Sequence, residues 1–288
     1  MHASRAAEAG GIGGDLSVNV FKRVLCGLLI LLLAAASIPS ARQERSASVL
    51  LLSGPDEADP DSALPVLEAP LEPAILAHRG ASGYRRENTL DAFRLAGELD
   101  ADLVELDVRE TSDGQLAVIH NAAVGVRKVA DMTLAQLQSV RPGVTTLEDA
   151  LRCIVETEMD VMIELKTSGV ERQALDCAQT CGMFERALFA SFSTDVLNAI
   201  QALSPNARTV YLVREKAVLN SLIRMPKQMD YEVVAAKYTL LSAAKVRALH
   251  QEGRRVIAWT VNNVPDLRLI AAMGVDGIIT DYPDRARG

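Results

Sequence analysis

From residue 74 onward the chain alternates short apolar runs with amphipathic helical patterns, and this repetition limits the fold more than any other feature. The runs are "AILAH" (74–78), "DLVELDV" (102–108), "QLAVIH" (115–120), "DVMIEL" (160–165), "ALFASF" (187–192), "RTVYLV" (208–213), "EVVAA" (232–236), "RVIAWTV" (255–261) and "VDGIIT" (275–280). Between most of them lie segments of helical period, such as 89–99, 146–156 and 241–251. Strands that alternate with helices imply a parallel sheet covered by helices. About eight such units in this length fit a closed α/β barrel of the TIM (β/α)8 type. A doubly wound open sheet is the alternative, but no G-x-G-x-x-G follows the first run.

One connection breaks the alternation. Only "RETSDG" separates 102–108 from 115–120, too little chain for a crossover helix. Asp113-Gly114 is a two-residue hairpin signal. A turn there pairs residues whose numbers add to 227, which places His120 directly opposite Asp107.

The chemistry-bearing residues sit at the ends of these runs. Glu105 and Asp107 alternate with Val104, Leu106 and Val108, so both carboxylates share one face of a strand. Glu164 and Lys166 repeat the pattern against Val161, Ile163 and Leu165. A barrel strand flanked by helices has no solvated face along most of its length, so such charges belong at the C-terminal rim and need partners. Three converging carboxylates call for a cation, and an all-oxygen donor set favours one Mg²⁺ or Ca²⁺ over zinc; a salt-bridge network is the alternative. His78 and His120 each end an apolar run, as acid–base groups near neutral pH would. Arg79 and Lys166 suit an anionic substrate group such as a phosphate. His250 lies among polar neighbours on a helical segment and reads as surface.

The rest of the chain narrows its setting. Lys22-Arg23 precede fifteen uncharged residues, Val24 to Ile38, followed by Pro39-Ser40-Ala41. This is the pattern of a secretory signal, and fifteen residues are short for a bilayer span. Residues 1–41 are therefore expected to be a signal peptide or membrane anchor, and the protein to be exported or anchored facing outward, with membrane association through residues 24–38. Residues 42–73 are rich in Pro, Asp and Glu toward their end and read as a flexible linker. The barrel occupies 74–288. A formal net charge of −7 and the lack of a basic stripe exclude a nucleic-acid partner. The four cysteines, Cys26, Cys153, Cys177 and Cys181, form no disulfide framework.

The motifs "HRG" (78–80), "ENT" (87–89), "ELDV" (105–108), "TSDGQLAVIH" (111–120), "ELK" (164–166), "WTVN" (259–262) and "GVDGIITDYP" (274–283) resemble, in order and spacing, those of the glycerophosphodiester phosphodiesterase family. The resemblance covers about residues 74–285. It implies a phospholipase-C-like TIM barrel that hydrolyses a small or lipid-derived phosphodiester to glycerol 3-phosphate and an alcohol. It also implies divalent-metal ligands at Glu105, Asp107 and Glu164, an acid–base pair at His78 and His120, and phosphate contacts from Arg79 and Lys166. Glu87, Asn88, Asn121, Trp259 and Asn262 form a second tier.

The chain departs from the family pattern in three places. Asn121 stands where the family usually has Asp, Arg86 replaces a proline, and 122–144 lacks the usual polar turn residues. Two other readings follow: a lysophospholipase D-like enzyme acting on a lipid diester, and a catalytically silent barrel that binds a metal or glycerophosphate.

Overall fold

The computed structural model describes residues 72–224 and 231–287. The expected leader at 1–41 and nearly all of the 42–73 linker lie outside the described residues. Among those described, no helix is long and apolar enough to cross a membrane.

The strands are β1 (Ala74–His78), β2 (Leu103–Glu110), β3 (Leu116–Val118), β4 (Ala123–Val124), β5 (Arg127–Lys128), β6 (Asp160–Leu165), β7 (Ala187–Ser191), β8 (Arg208–Val213), β9 (Val233–Lys237), β10 (Arg255–Trp259) and β11 (Gly277–Thr280). Eight of them pair in parallel in the order β1-β2-β6-β7-β8-β9-β10-β11, and β11 returns to β1 to close the barrel. The helices that cover it are α1 (Leu90–Glu98), α2 (Leu134–Val140), α3 (Leu147–Val155), α4 (Glu171–Thr180), α5 (Thr194–Leu203), α6 (Lys216–Arg224), α7 (Ala243–Gln251), α8 (Val264–Ala271) and α9 (Pro283–Ala286).

Local sequence starts many of these helices. Thr89, Thr133, Thr146, Ser193 and Ser242 each accept a backbone N–H of the first turn with the side-chain oxygen. Each such cap is worth about 1 kcal/mol. Strand parity then sorts the apolar residues into two layers. Leu76, Leu103, Met162, Leu188, Val210, Val233, Ile257 and Ile279 fill the barrel interior. Val104, Leu106, Val161, Ile163 and Phe189 face outward against α1, α3, α4 and α5. Burying one such side chain contributes roughly 1.5–3 kcal/mol, so both faces of every barrel strand resist a register slip.

The β2–β3 hairpin corrects the sequence expectation. Its pairs are Val108 with Val118, Arg109 with Ala117 and Glu110 with Leu116, numbers that add to 226 and not 227. Asp107 accordingly faces Ile119, whose N–H donates to the Asp107 carbonyl at 2.9 Å. The loop holds three residues because Gly114 takes φ +72, the left-handed position that follows a tight turn in such hairpins. Thr111 secures it by donating its hydroxyl to Asp113 at 2.6 Å. His120 thus reaches the mouth by leaving the strand after Val118, not by cross-strand pairing with Asp107.

The 122–144 segment supplies a short hairpin, β4–β5, turning at Gly125, and then α2 with a full capping box at Thr133 and Gln136.

Candidate active site

At the C-terminal mouth the inward parity of β2 and β6 carries past the last apolar residue to charge. Glu105 and Asp107 stand above Leu103, and Glu164 and Lys166 above Met162. Register sets Asp107 beside Glu164 on the neighbouring strand, and His78 beside Glu105. Oxygen atoms of Glu105, Asp107 and Glu164 lie within 4.8 Å of one another, and all three residues are buried. The structure therefore brings together the three carboxylates that the sequence placed on one rim.

Cations partly answer this charge, and the salt-bridge alternative is realised among the same residues. Lys166 Nζ lies 2.9 Å from Asp107 Oδ1 and 2.7 Å from Glu164 Oε1. Arg79 Nε stands 3.1 Å from Asp107 Oδ2, and its Nη1 donates to Glu87 at 2.6 Å. Glu87 also pairs with Arg141 at 3.2 Å. Asn88 donates to Asp107 at 2.8 Å. Glu87, Asp107 and Glu164 are thus ion-paired with Arg79, Arg141 and Lys166, and Arg109 adds a further positive charge near Asp107 and Glu164.

Glu105 forms no ion pair among the described residues. Its Oε2 accepts the backbone N–H of Arg79 at 2.9 Å, a weaker answer than an ammonium or guanidinium. Burial, with Asp107 and Glu164 beside it, pushes its carboxyl well above the usual range. Burial likewise pushes Glu164 up to about 7, against Lys166. Burial would raise Asp107 too, but Lys166 and Arg79 overcome it and hold that carboxyl below its ordinary value. A buried carboxylate whose charged form is disfavoured by two neighbouring carboxylates is a group that a bound cation would stabilise. The donor set accordingly fits a hard divalent cation.

The backbone is bent to deliver these groups. Arg79 and Asn88 take φ +56 and +57, a left-handed conformation that costs a non-glycine residue about 1–2 kcal/mol. The backbone N–H of Arg79 to Glu105, its guanidinium to Asp107, and the Asn88 side chain to Asp107 offset that cost. Gly80 follows at φ +80, where a Cβ would come within 2.7 Å of Ala92.

The two histidines are held differently. His78 Nδ1 meets Asp281 Oδ1 at 2.6 Å. Asp281 also accepts from Ser82 at 2.9 Å and from Asn262 at 2.5 Å. These donors outweigh burial and keep the Asp281 carboxyl below its usual range. His120 Nδ1 meets only the amide oxygen of Asn121, at 3.0 Å, while Arg109 grips the His120 carbonyl at 2.8 Å. Burial pushes the His120 imidazole below its ordinary value; Asn121 and the Asp107 charge resist, while Lys166 and Arg79 add to the fall.

Of the second tier, Glu87 and Asn88 join the charged network, and Asn262 supports Asp281. Trp259 stands across the mouth, donating its indole N–H to the Ala235 carbonyl at 2.8 Å and meeting Phe192 edge-on at 5.7 Å. Sequence reasoning missed Asp281, Arg141 and Arg109. The parity rule that located Asp107 would have found Asp281, two residues beyond the interior Ile279. Nothing local marks Arg141, which reaches Glu87 from the end of α2. His250 is a half-exposed helix residue bonded to Asp276 at 2.8 Å, as its polar surroundings suggested.

Comparison with known proteins covers this region. Residues 78–285 match the sequence profile of the glycerophosphoryl diester phosphodiesterase family. YhdW of Bacillus subtilis is 35% identical over 234 residues, a match covering 73% of this chain and 95% of that protein. A glycerophosphodiester phosphodiesterase of Caldanaerobacter subterraneus subsp. tengcongensis is 29% identical over 231 residues, covering 73% of this chain and 94% of its own. Among solved structures, an Oleispira antarctica phosphodiesterase in complex with the product sn-glycerol-3-phosphate superposes with a TM-score of 0.65 at 25% identity. That match covers 75% of this chain and 95% of the other.

Proposed function

Since the chain belongs to the glycerophosphoryl diester phosphodiesterase family, we propose that it hydrolyses glycerophosphodiesters to glycerol 3-phosphate and an alcohol by metal-dependent His/His chemistry. The convergence of Glu105, Asp107 and Glu164, all buried with oxygens within 4.8 Å of one another, carries the metal half of this reading. These three residues would hold one Mg²⁺ or Ca²⁺, which when bound supplies positive charge to the phosphate's non-bridging oxygens. Lys166 and Arg79 border the same carboxylates and would bind and orient the phosphate from the protein side.

The histidines would move the protons. Asp281 accepts at His78 Nδ1, which leaves Nε2 as the atom that would take the proton. His120, with a neutral partner and a partly buried ring, gives up its proton more readily and would serve the departing alkoxide. Each transfer is worth about 10²–10⁴-fold. Export through the leader at 24–38 belongs to the same proposal.

A lysophospholipid substrate is the second reading. The β4–β5 hairpin favours it, because fully exposed Val126 sits at the tip beside Arg127 and Lys128, chemistry suited to a lipid surface. A hydrolysis panel of glycerophosphoethanolamine and lysophosphatidylcholine, run with and without a chelator, tests both. Turnover is expected to vanish on chelation and return with Mg²⁺ or Ca²⁺. Turnover that survives chelation would defeat the three assigned ligands, and faster turnover of the lysolipid would move the function to the second reading.

A further inference from the structure

Inward parity accounts for the whole mouth, not only the half with the carboxylates. On β7, β8, β9 and β10 the position above the interior residues is occupied by Phe192, Arg214, Lys237 and Trp259. Beneath them Leu188 and Ala190, Val210 and Leu212, Val233 and Ala235, and Ile257 all line the barrel interior, and Phe192 and Trp259 pack against that cluster. The Arg214 guanidinium lies 5.1 Å from the centre of the Phe192 ring. In the closed ring of eight strands β8 stands across from β1, and β9 across from β2. Arg214 and Lys237 therefore face His78 and the carboxylates from the opposite wall.

These two cations are placed differently from the others at the mouth. Arg79, Arg141 and Lys166 are each matched to carboxylates, and Arg109 donates to the His120 carbonyl. Arg214 and Lys237 are exposed, and among the described residues neither forms an ion pair. The β8–β9 register of Val213 with Ala236 runs on to set Arg214 beside Lys237. Like charges on neighbouring strands repel, and an anion between them would remove that cost. Glu215, the next carboxylate along the chain, has the opposite parity to Arg214.

We propose that this wall receives the alcohol side of the diester, and that Arg214 and Lys237 select alcohols bearing an anionic group of their own, a carboxylate or a phosphate. The inference rests on the phosphodiesterase reading of the opposite wall. Phe192 and Trp259 supply an apolar platform beneath that group. With Arg214 already over the Phe192 ring, a cationic head group meets repulsion there where an open aromatic face would attract it.

Glycerophosphoserine and glycerophosphoethanolamine differ by one carboxylate and make a matched pair. For the wild-type enzyme, kcat/KM is expected to favour the serine diester by about tenfold, a preference that shrinks with added salt. The Arg214→Gln/Lys237→Gln double variant is expected to bring the ratio to within about twofold of one. A wild-type ratio near one, or a preference that survives the double substitution, overturns the proposal. Failure to hydrolyse either diester would sink the phosphodiesterase reading instead. Calorimetric Kd values for the same pair would then decide this one, tighter serine-diester binding supporting it and equal affinities overturning it.

Discussion

The His78 and His120 corners of the mouth carry the same side chain and are built on different plans. His78 ends a barrel strand, and its Nδ1 meets a carboxylate that Ser82 and Asn262 hold in place from two other segments. His120 lies beyond the end of a short antiparallel strand, held by the amide of its own neighbour and by Arg109 on its carbonyl. The first imidazole is fixed by tertiary contacts against a carboxylate. The second is fixed by its local chain, and burial disfavours its charged form. Under the proposed mechanism the two histidines are therefore not interchangeable, and the group behind Nδ1 is what would set the role of each.

Removing the rings is the largest test of this contrast. His120→Ala is expected to lower kcat by about 10²–10⁴-fold while leaving Tm nearly unchanged, because a rim histidine packs little apolar area. His78→Ala should cost as much rate and also lower Tm, because it strips Asp281 of its imidazole partner. A His120→Ala enzyme that unfolds, or that keeps more than about a tenth of its rate, would break the assignment.

Next in size is the carboxylate itself. Asp281→Asn keeps the shape and, with its amide oxygen toward Ser82 and His78, the contact to Ser82; it gives up the bond from the Asn262 amide and withdraws the charge from His78. A loss of about 10–10²-fold in kcat is expected, with KM little changed. A change confined to KM would make Asp281 a substrate-pocket residue and not a positioning residue for His78.

The smallest effect is expected at the other corner. Asn121→Asp places a carboxylate on His120 Nδ1, opposing the burial that holds the imidazole down. A charged neighbour raises an imidazole pKa, so the limb of the pH–rate profile that reports His120 should move to higher pH, with a gain in rate of a few-fold at most. An unmoved profile would show that the two corners work alike despite their different partners.

How far the sequence reached follows from which residues carried a period. Alternation along 102–108 and 160–165 placed Glu105, Asp107, Glu164 and Lys166 on the correct faces, because a strand flanked by helices leaves a charge only one place to go. The hairpin was misjudged by one residue. Asp113-Gly114 marks a turn, but the left-handed glycine closes a three-residue loop there, and a dipeptide signal does not distinguish the two.

By itself, then, the chain determined the barrel, its main strands, and the faces on which Glu105, Asp107, Glu164 and Lys166 stand. Those follow from period, caps and the need to bury apolar faces, all of which act over short stretches of chain. Only the closed tertiary structure decided that Asp281 backs His78 across two hundred residues, that Arg141 answers Glu87, and that Arg214, over the Phe192 ring, has no ion pair among the described residues. Closure brings the first and last strands together, and the energy of a charge depends on what surrounds it in space, which no local pattern records.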